Sequence, residues 1–311
     1  MHCCHRHTVG AAHQAWGRTA WSIRPILIVR GAQLVRFTTC CLAIVGLASS
    51  TLEATAGRPP TMQATTSDSA RREATQAIPL KRIHTKYRRS VHNVLTNSSL
   101  YRRMPTQMVD CDPLLFTFLA KNPEMLVEMW QQMGISQVAL QRTGANTFSL
   151  SDGAGTTGRL VIVEQKCDDG AQNRIVMYSE GAYEGKPFKR PVRAQCVLLL
   201  RSGSVKETNG RDYVACRLDT FVRIERASIE LFAKALHPWV GKTADANFAD
   251  TIGFISNLSQ AAEQRPATIE QLVNSLPRVT RQRQQQMVRI AYDCSQKYEG
   301  EAMQRVARKE K

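Results

Sequence analysis

Six segments between residues 135 and 224 have the composition of β-strands, and no segment with helical periodicity separates them. They are ISQVALQR, NTFSLS, GRLVIVEQ, NRIVMYSE, PVRAQCVLLLRS and RDYVACRLDTFVRI, and turn-forming sequences such as TGA and DDGAQ lie between them. Parallel strands need a long crossover connection, usually a helix, whereas antiparallel strands can be joined by short turns. The sequence therefore predicts an antiparallel meander of about six strands.

The last two segments alternate apolar residues with a period of two. The first set is Val192, Ala194, Cys196, Leu198 and Leu200, and the second is Val214, Cys216, Leu218, Val222 and Ile224. Successive side chains of a strand point to opposite faces, so each set lies on one face of its strand. The alternation predicts a sheet with one apolar face, which another layer must cover.

Helix signals precede and follow these strands. Asp112 before Pro113, and Asn122 before Pro123, are typical of two helix starts, and Gly134 is a typical helix end. Residues 226–264 have apolar residues at helical spacing, with a break expected at Pro238. Residues 265–311 predict one or two polar helices with a basic end.

The order of elements from about residue 104 to 264 resembles the helix-grip fold of the START-like superfamily. That order is a short strand at TQMVD, two helices, the six strands and a long helix. PEMLVEMW is similar to the superfamily's helical region ending in a tryptophan, here Trp130, and LFAKALHPWVGKTADANFAD to its closing helix, although Pro238 departs from the pattern. DGAGTTG and VGKTADANF also resemble stretches in a group of exported bacterial proteins of unassigned activity.

The resemblance implies an α+β fold in which a sheet of about six to seven antiparallel strands packs against the long helix, with additional helices before and after. It also implies an apolar cavity between that helix and the sheet. The residues expected to line it are Phe118, Trp130, Leu198, Leu218, Phe232, Leu236 and Trp239. The same residues could instead fill a solid core, and both alternatives stay open. We expect Trp130 and Trp239 to be buried on the same side of the sheet.

The N-terminus, residues 1–56, resembles a leader with a secretory signal peptide. Arginines precede the short apolar run CCLAIVGLASS, and Ala54-x-Ala56 before Gly57 is typical of a cleavage site. The run is far shorter than the roughly 20 residues that span a bilayer, so no permanent transmembrane anchor is expected. Val35 is a candidate for the true start. These features predict export to the periplasm or cell envelope.

The net charge of +16 follows from 42 Lys plus Arg against 26 Asp plus Glu, and much of it lies in the flanks. Nine Lys/Arg and one acid lie between residues 71 and 103, and nine Lys/Arg and four acids between 278 and 311. We interpret residues 57–103 as a disordered or basic linker, with an amphipathic helix over residues 80–103 as the alternative, residues 104–264 as the core domain and 265–311 as a helical basic tail.

The stretch Gly153-Ala-Gly155-Thr-Thr-Gly158 matches the G-x-G-x-x-G pattern, but it leads into a strand. A dinucleotide site needs a helix there, so a wide hairpin turn is favoured. Gly241-Lys242-Thr243 lacks the first glycine of a phosphate-binding loop. Asp112 is best explained as a helix cap, and His237 as a surface histidine beside Pro238. No catalytic grouping is recognised, which favours a non-catalytic protein without a cofactor.

The cysteines predict no metal site. Cys111, Cys167 and Cys294 belong to no C-x-x-C pair, and the cluster Cys3, Cys4, His5 and His7 lies in the leader. If the last turn is centred near residues 206–207, Cys196 and Cys216 would lie nearly opposite each other. A cross-strand disulfide is then an alternative to two buried thiols, which are favoured.

Together these features predict an exported binding protein that holds an apolar or lipid-like molecule between the sheet and the long helix. The alternative is an envelope interaction protein whose basic flanks attach to an anionic surface or a protein partner, without a small ligand. Nucleic acid is disfavoured as a partner because the chain is predicted to be exported and carries no recognition motif.

Overall fold

The computed structural model describes residues 63–309, except 168–171, 187, 189 and 209, and gives the backbone alone for 226–242 and 301–309. The predicted leader, its cleavage site and the cluster Cys3–His7 lie outside the described residues. So do the side chains of Phe232, Leu236, His237 and Trp239.

Eight strands form one antiparallel sheet. They are β1 (Leu100–Arg103), β2 (Gln107–Val109), β3 (Ala139–Arg142), β4 (Thr147–Ser151), β5 (Thr156–Lys166), β6 (Asn173–Tyr183), β7 (Val192–Lys206) and β8 (Asp212–Ile224). Their order is β1-β8-β7-β6-β5-β4-β3, and β2 also pairs with β8. The six predicted strands are β3 to β8, and TQMVD contains β2. The antiparallel meander is confirmed.

Seven α-helices and one short 3₁₀ turn at Leu80–Arg82 complete the described fold. The helices are α1 (Asp68–Ala77), α2 (Thr85–Thr96), α3 (Pro113–Lys121), α4 (Pro123–Gln132), α5 (Arg226–Gln264), α6 (Pro266–Asn274) and α7 (Arg281–Lys309). The predicted α+β class is confirmed, with a long helix directly after the last strand. Across the described part of the chain, none of the helices combines the length and the apolar character that a membrane span requires.

The sheet has two faces covered by different helices. On the α1–α2 face, α1 and α2 pack on residues of the central strands, among them Val176, Tyr178 and Phe221. On the opposite, α5 face, the second half of α5 packs with α3, α4, α6 and α7 on Val214 and Cys216 of β8. The residues that the alternation placed on one apolar face lie on the α5 face.

The helix signals before the sheet are confirmed. Asp112 caps α3 by accepting hydrogen bonds from the backbone N–H groups of Leu114 and Leu115. α4 begins at Pro123, and Gly134 follows its end with a φ of 70°. The expected break at Pro238 is wrong, because α5 continues through this position as one helix.

The linker interpretation is wrong from Asp68 onward, since residues 68–103 form α1, α2 and β1, and α2 bears out the amphipathic helix that was the alternative for residues 80–103. Thr65 also pairs with Arg103 in an antiparallel bridge. The spaced apolar residues of this segment are buried against the sheet, namely Ala70, Ala74, Ile78, Ile83, Val91, Val94 and Leu95. An amphipathic segment of low overall hydropathy therefore folds here because the sheet supplies a second apolar surface.

The predicted boundary after residue 264 also needs correction. The helical prediction is confirmed by α6 and α7, but these helices are not a separate tail. Their apolar residues join the core with α3 to α5, namely Ile269, Val273, Leu276, Val279, Met287, Ala291 and Cys294. Arg278 and Arg283 form ion pairs with the buried carboxylates of Glu128 and Glu124 on α4.

The alternative of a Cys196–Cys216 disulfide is wrong. The register pairs Lys206 with Asp212, so Cys196 lies opposite Val222 and Cys216 opposite Ser202. Along the paired strands, the two cysteines are therefore six residue positions apart, which is about 20 Å at 3.3 Å per residue. A disulfide requires Cα atoms less than about 7 Å apart. Both cysteines are buried, and burial raises the pKa of Cys216 to about 12.

Candidate functional site

The end of the α5 face near the start of α5 presents an apolar surface, which we call the floor. It consists of Val192, Ala194, Cys196 and Leu198 of β7 with Val222 and Ile224 of β8. Each of these side chains is buried, and Leu100, Met177 and Phe188 pack around them. α5 begins at Arg226, directly after β8, so the long helix starts at this end of the sheet.

A side-chain-free patch lies beside the floor. The register aligns Leu150, Gly158, Gly181, Ala194 and Ile224 in one row across five strands. A Cβ atom on Gly181 would lie 2.5 Å from the carbonyl oxygen of Thr157, and one on Gly158 would lie 2.8 Å from that of Glu180. Both positions therefore require glycine, and the sheet surface is depressed where they meet.

The glycine-rich stretch is a turn, as predicted. It joins β4 to β5, and Gly153 and Gly155 have φ angles of 68° and 111°, which favour glycine. Asp152 organises the turn, because its Oδ1 accepts hydrogen bonds of 2.8 Å from the backbone N–H groups of Ala154 and Thr156. The third glycine, Gly158, belongs to β5 and to the depressed patch.

Two buried polar atoms beside this turn have no hydrogen-bond partner. They are Oδ2 of Asp152 and Oγ1 of Thr156, whose residues are only 6% and 3% exposed. Thr156 alternates with Leu160 and Ile162 along β5, so it faces the same side of the sheet as the floor. Buried polar groups in proteins are nearly always satisfied, so a pair of unsatisfied groups marks a place where a partner is expected.

Aromatic rings close the same end of the face. Tyr183 pairs with Thr156 in the register, and its ring meets that of Phe188 edge to face at 6.0 Å. The hydroxyl of Tyr183 donates a 2.9 Å hydrogen bond to the carbonyl of Lys186, which fixes the ring in the β6–β7 turn. Asp152, Thr156 and Tyr183 thus form a polar corner at the edge of the floor.

A second polar position lies on the β1 side of the floor. Oγ1 of Thr220 is buried without a hydrogen-bond partner, between Leu198 of β7 and Arg102 of β1. Nε of Arg102 donates a 2.8 Å bond to Oδ1 of Asp245 in α5, which anchors the long helix over this face. The apolar floor therefore has polar groups on two sides.

The polar groups of the α1–α2 face are arranged differently. Asp219 is fully buried and accepts bonds from Tyr101 and Arg103 at 2.7 Å and from Arg201 at 3.0 Å. Glu73 of α1 reaches Arg103, Arg201 and Arg217. Burial, with the hydrogen bond to Asp219, raises the pKa of Tyr101. This network ties α1 to the sheet.

A small cavity of about 20 Å³ lies where α3, β8, α5 and α7 meet. Its charged groups pair with one another, since Arg211 binds Asp110 and Glu263, and Lys297 binds Asp112 and Asp212. Room for about one water molecule and complete charge pairing indicate a structural contact between these elements.

The structure separates the residues that the sequence grouped as ligand-binding. Leu198 lies on the floor, and Leu218 is its neighbour on the same face. Phe118 and Trp130 instead lie in the helical layer at the other end of the sheet, where the ring of Trp130 meets Phe254 of α5 at 5.9 Å. Trp130 is half-buried. The prediction that Trp130 and Trp239 are buried on the same side of the sheet stays a prediction, because the side chain of Trp239 is not among the described ones.

Sequence reasoning missed the polar corner and the glycine patch. Gly158 was recognised only as part of a turn, and Gly181, Asp152 and Thr156 were not singled out. Gly158 and Gly181 are about equally far from the predicted turn DDGAQ, and this spacing could have suggested that they pair. The register of β5 and β6 was needed to place them side by side.

Comparisons with known proteins add no functional assignment. No protein-family model matches the chain, and no curated protein matches it. A solved structure described as a conserved protein from Geobacillus kaustophilus is similar over 47% of this chain and 93% of that chain, with 11% sequence identity and a TM-score of 0.24.

Proposed function

We propose that this chain is an exported, non-catalytic module that binds an apolar small molecule on the floor, between the sheet and α5. The observation that carries the proposal is a continuous apolar surface with a depressed patch and unsatisfied polar groups at its edges. Small-molecule sites are mostly apolar with a few placed polar groups. The element order is also the one that the helix-grip resemblance implies.

A tightly filled core at the floor is the competing explanation, and one substitution separates the two. Ala194 lies at the centre of the floor, so Ala194→Trp would occupy the space of a ligand. If a ligand binds there, the variant should stay folded and lose the molecule that co-purifies with wild type, measured by native mass spectrometry and solvent extraction. If the core is solid, overpacking should destabilise the variant by about 1–3 kcal/mol, and neither protein should carry a ligand.

The neighbouring position provides a matched control. Arg193 is exposed and points to the opposite face of the same strand. Arg193→Trp adds an indole to the same strand and should change neither ligand retention nor stability. Loss of ligand in both variants would show that retention does not depend on the floor.

Export is part of the proposal and has its own test. Cleavage after Ala56 predicts a mature chain that begins at Gly57, measured by intact mass and N-terminal sequencing of protein from the envelope fraction. A mature chain that begins well before Gly57 would contradict this cleavage site.

We propose attachment to an anionic envelope surface as a second candidate function. The surface of α1, α2 and the turn between them exposes Arg72, Lys81, Lys86 and Arg89, and α2 contains no acidic residue. Cationic side chains near an anionic membrane contribute about 1 kcal/mol each, and salt screens the attraction. We expect binding to phosphatidylglycerol vesicles that weakens steeply between low and physiological salt.

The variants for this test must be substitutions, because residues 68–103 are part of the fold and cannot be deleted. Lys81→Gln, Lys86→Gln and Arg89→Gln together should abolish vesicle sedimentation. Arg265→Gln, Arg281→Gln and Arg289→Gln remove the same charge from exposed positions on or beside α6 and α7. Equal losses in both triple variants would assign the effect to net charge and reject a specific basic surface.

A further inference from the structure

The polar corner contains a buried carboxylate, that of Asp152, which pairs with no cationic side chain among the described residues. Oδ1 of Asp152 is satisfied by two backbone N–H groups of the turn, whereas Oδ2 has no partner. No Lys, Arg or His side chain that the structure describes pairs with it. A carboxylate in such a place is expensive unless a cation or several donors neutralise it.

The other buried carboxylates that the structure describes around the sheet are each neutralised by a cationic side chain. Glu164 holds Arg174 at 2.9 Å, Glu124 holds Arg142 at 2.7 Å, and Asp219 holds Arg103 at 2.7 Å. Asp152 departs from this pattern, and it does so at the edge of an apolar surface rather than inside a packed layer. The missing cation is therefore expected from outside the described chain.

We infer that the ligand of the floor is a monocationic amphiphile, an apolar body with a protonated amine that pairs with Oδ2 of Asp152. This inference rests on the proposed small-molecule function and specifies its ligand class. The amine carries several N–H donors, so Oγ1 of Thr156 accepts a second one. The apolar body extends over Gly158 and Gly181, where no side chain obstructs it, toward Ala194 and Leu198.

The chemistry of the corner excludes the commonest alternative amphiphile. A fatty acid would place its carboxylate next to that of Asp152, and two negative charges in contact repel each other strongly. A neutral alcohol would donate one hydrogen bond and leave the charge of Asp152 uncompensated. The corner thus predicts a ranking of head groups in which the amine is first and the carboxylate last.

Calorimetric titration of the full mature chain with decylammonium, 1-decanol and decanoate, each below its micelle concentration, tests this ranking. We expect decylammonium to bind at least about tenfold more tightly than decanol, the scale of one charge-assisted hydrogen bond. Asp152→Asn keeps an oxygen for the turn and should remove the preference for decylammonium over decanol. Thr156→Val should weaken decylammonium binding severalfold.

Thr157→Val is the matched control, since Thr157 is exposed on the opposite face and adjacent in sequence. It should bind all three probes as wild type does. Should Asp152→Asn fail to fold, the ranking by wild type and the effect of Thr156→Val still decide the question.

The two proposals fail in different ways. Equal binding of decylammonium and decanol by wild type would overturn the cationic ligand and leave apolar binding at the floor intact, as expected if a water molecule satisfies Asp152. No binding of any probe, together with simple destabilisation by Ala194→Trp, would overturn both.

Discussion

The two faces of the sheet differ in how their buried carboxylates are paired. On the α1–α2 face, the carboxylate of Asp219 accepts three hydrogen bonds and Glu73 joins three arginines. On the α5 face, Asp152, Thr156 and Thr220 keep unsatisfied oxygens around an apolar floor. Paired carboxylates are typical of a structural layer, although Nε of Arg201 in this network has no hydrogen-bond partner among the described residues, whereas unsatisfied oxygens around an apolar surface are typical of a binding surface.

The α1–α2 network also shows how charge is distributed among buried ion pairs. Three arginines share two carboxylates, so burial and the neighbouring charges of Arg201 and Arg103 lower the pKa of Arg217. Glu73, the bond from Arg103 to the carbonyl of Ala70, and the buried side chains of Ala70 and Ala74 together hold α1 on the sheet. The comparison predicts large effects of substitutions on stability at the α1–α2 face and effects on binding at the α5 face.

The largest effect is expected for Asp219→Asn. It leaves Arg103 and Arg201 without their buried counter-charge, and breaking a buried pair costs about 3–5 kcal/mol. The free energy of unfolding in urea measures the loss. Asp293→Asn, at an exposed position of α7, should change it by less than about 0.5 kcal/mol. A small effect at Asp219 would mean that the network contributes little to stability.

Gly181→Ala should have the next largest effect. The added Cβ would lie 2.5 Å from the carbonyl oxygen of Thr157, so β5 and β6 must separate locally, at about 1–3 kcal/mol. Ligand retention should fall with stability. Gly203→Ala on β7 meets no atom within 4 Å and should be neutral or slightly stabilising. Equal effects of the two alanines would contradict a close strand contact at the patch.

Glu73→Gln should have a moderate effect that depends on pH. The hydrogen bond that Arg201 donates to Glu73 is the main reason why the pKa of Glu73 is lowered to about 2. A carboxyl whose pKa is lowered by folding stabilises the protein above its unfolded pKa, about 4.5, and loses that contribution as the pH falls toward 2. Because Glu73 is half-exposed, the variant should lose only about 1 kcal/mol at pH 7.

Unfolding at pH 7 and at pH 2.5 checks this dependence, since the difference between wild type and Glu73→Gln should shrink at the lower pH. Glu207→Gln, in the exposed turn between β7 and β8, serves as the control and should not differ from wild type at pH 7. A difference that grows on acidification would reverse the assigned sign.

The smallest effect is expected for Thr220→Val on the α5 face. Its hydroxyl has no partner, so replacement by a methyl group should be neutral or stabilising within about 0.5 kcal/mol. Tyr101→Phe removes a hydroxyl that donates to Asp219 on the other face, and should be clearly more costly. Thermal unfolding of the two variants sharpens the comparison, because equal costs would show that the faces do not differ in this respect.

Several local features were predictable because they depend on neighbouring residues. Asp112 with Pro113 marks the start of α3, and Asn122 with Pro123 that of α4, since caps act within one turn. The glycines at 153 and 155 form the β4–β5 turn through their own φ angles. The long helix after β8 was predicted by spacing, although the break at Pro238 was not found.

Segments with little apolar content were predicted least well. Residues 57–103 were interpreted as a disordered or basic linker, with an amphipathic helix over 80–103 as the alternative, yet both α1 and α2 fold and cover one face of the sheet. Their few apolar side chains cannot form a core alone, and they are buried only because β5 to β8 present a matching surface. The same holds for α6 and α7, whose buried side chains join the core with α3 to α5.

The sequence by itself determined the antiparallel meander and the apolar face of β7 and β8, because the alternation of side chains has a period of two residues. That period assigns each residue to a face but leaves the pairing of strands open. The turn expected near residues 206–207 lies between Lys206 and Asp212, which pair with each other. Only the tertiary structure decided the register, and with it which side chains meet. It separated Cys196 from Cys216, placed Gly158 beside Gly181, and left Asp152 buried without a cation from the described residues, since such contacts join residues far apart in the chain.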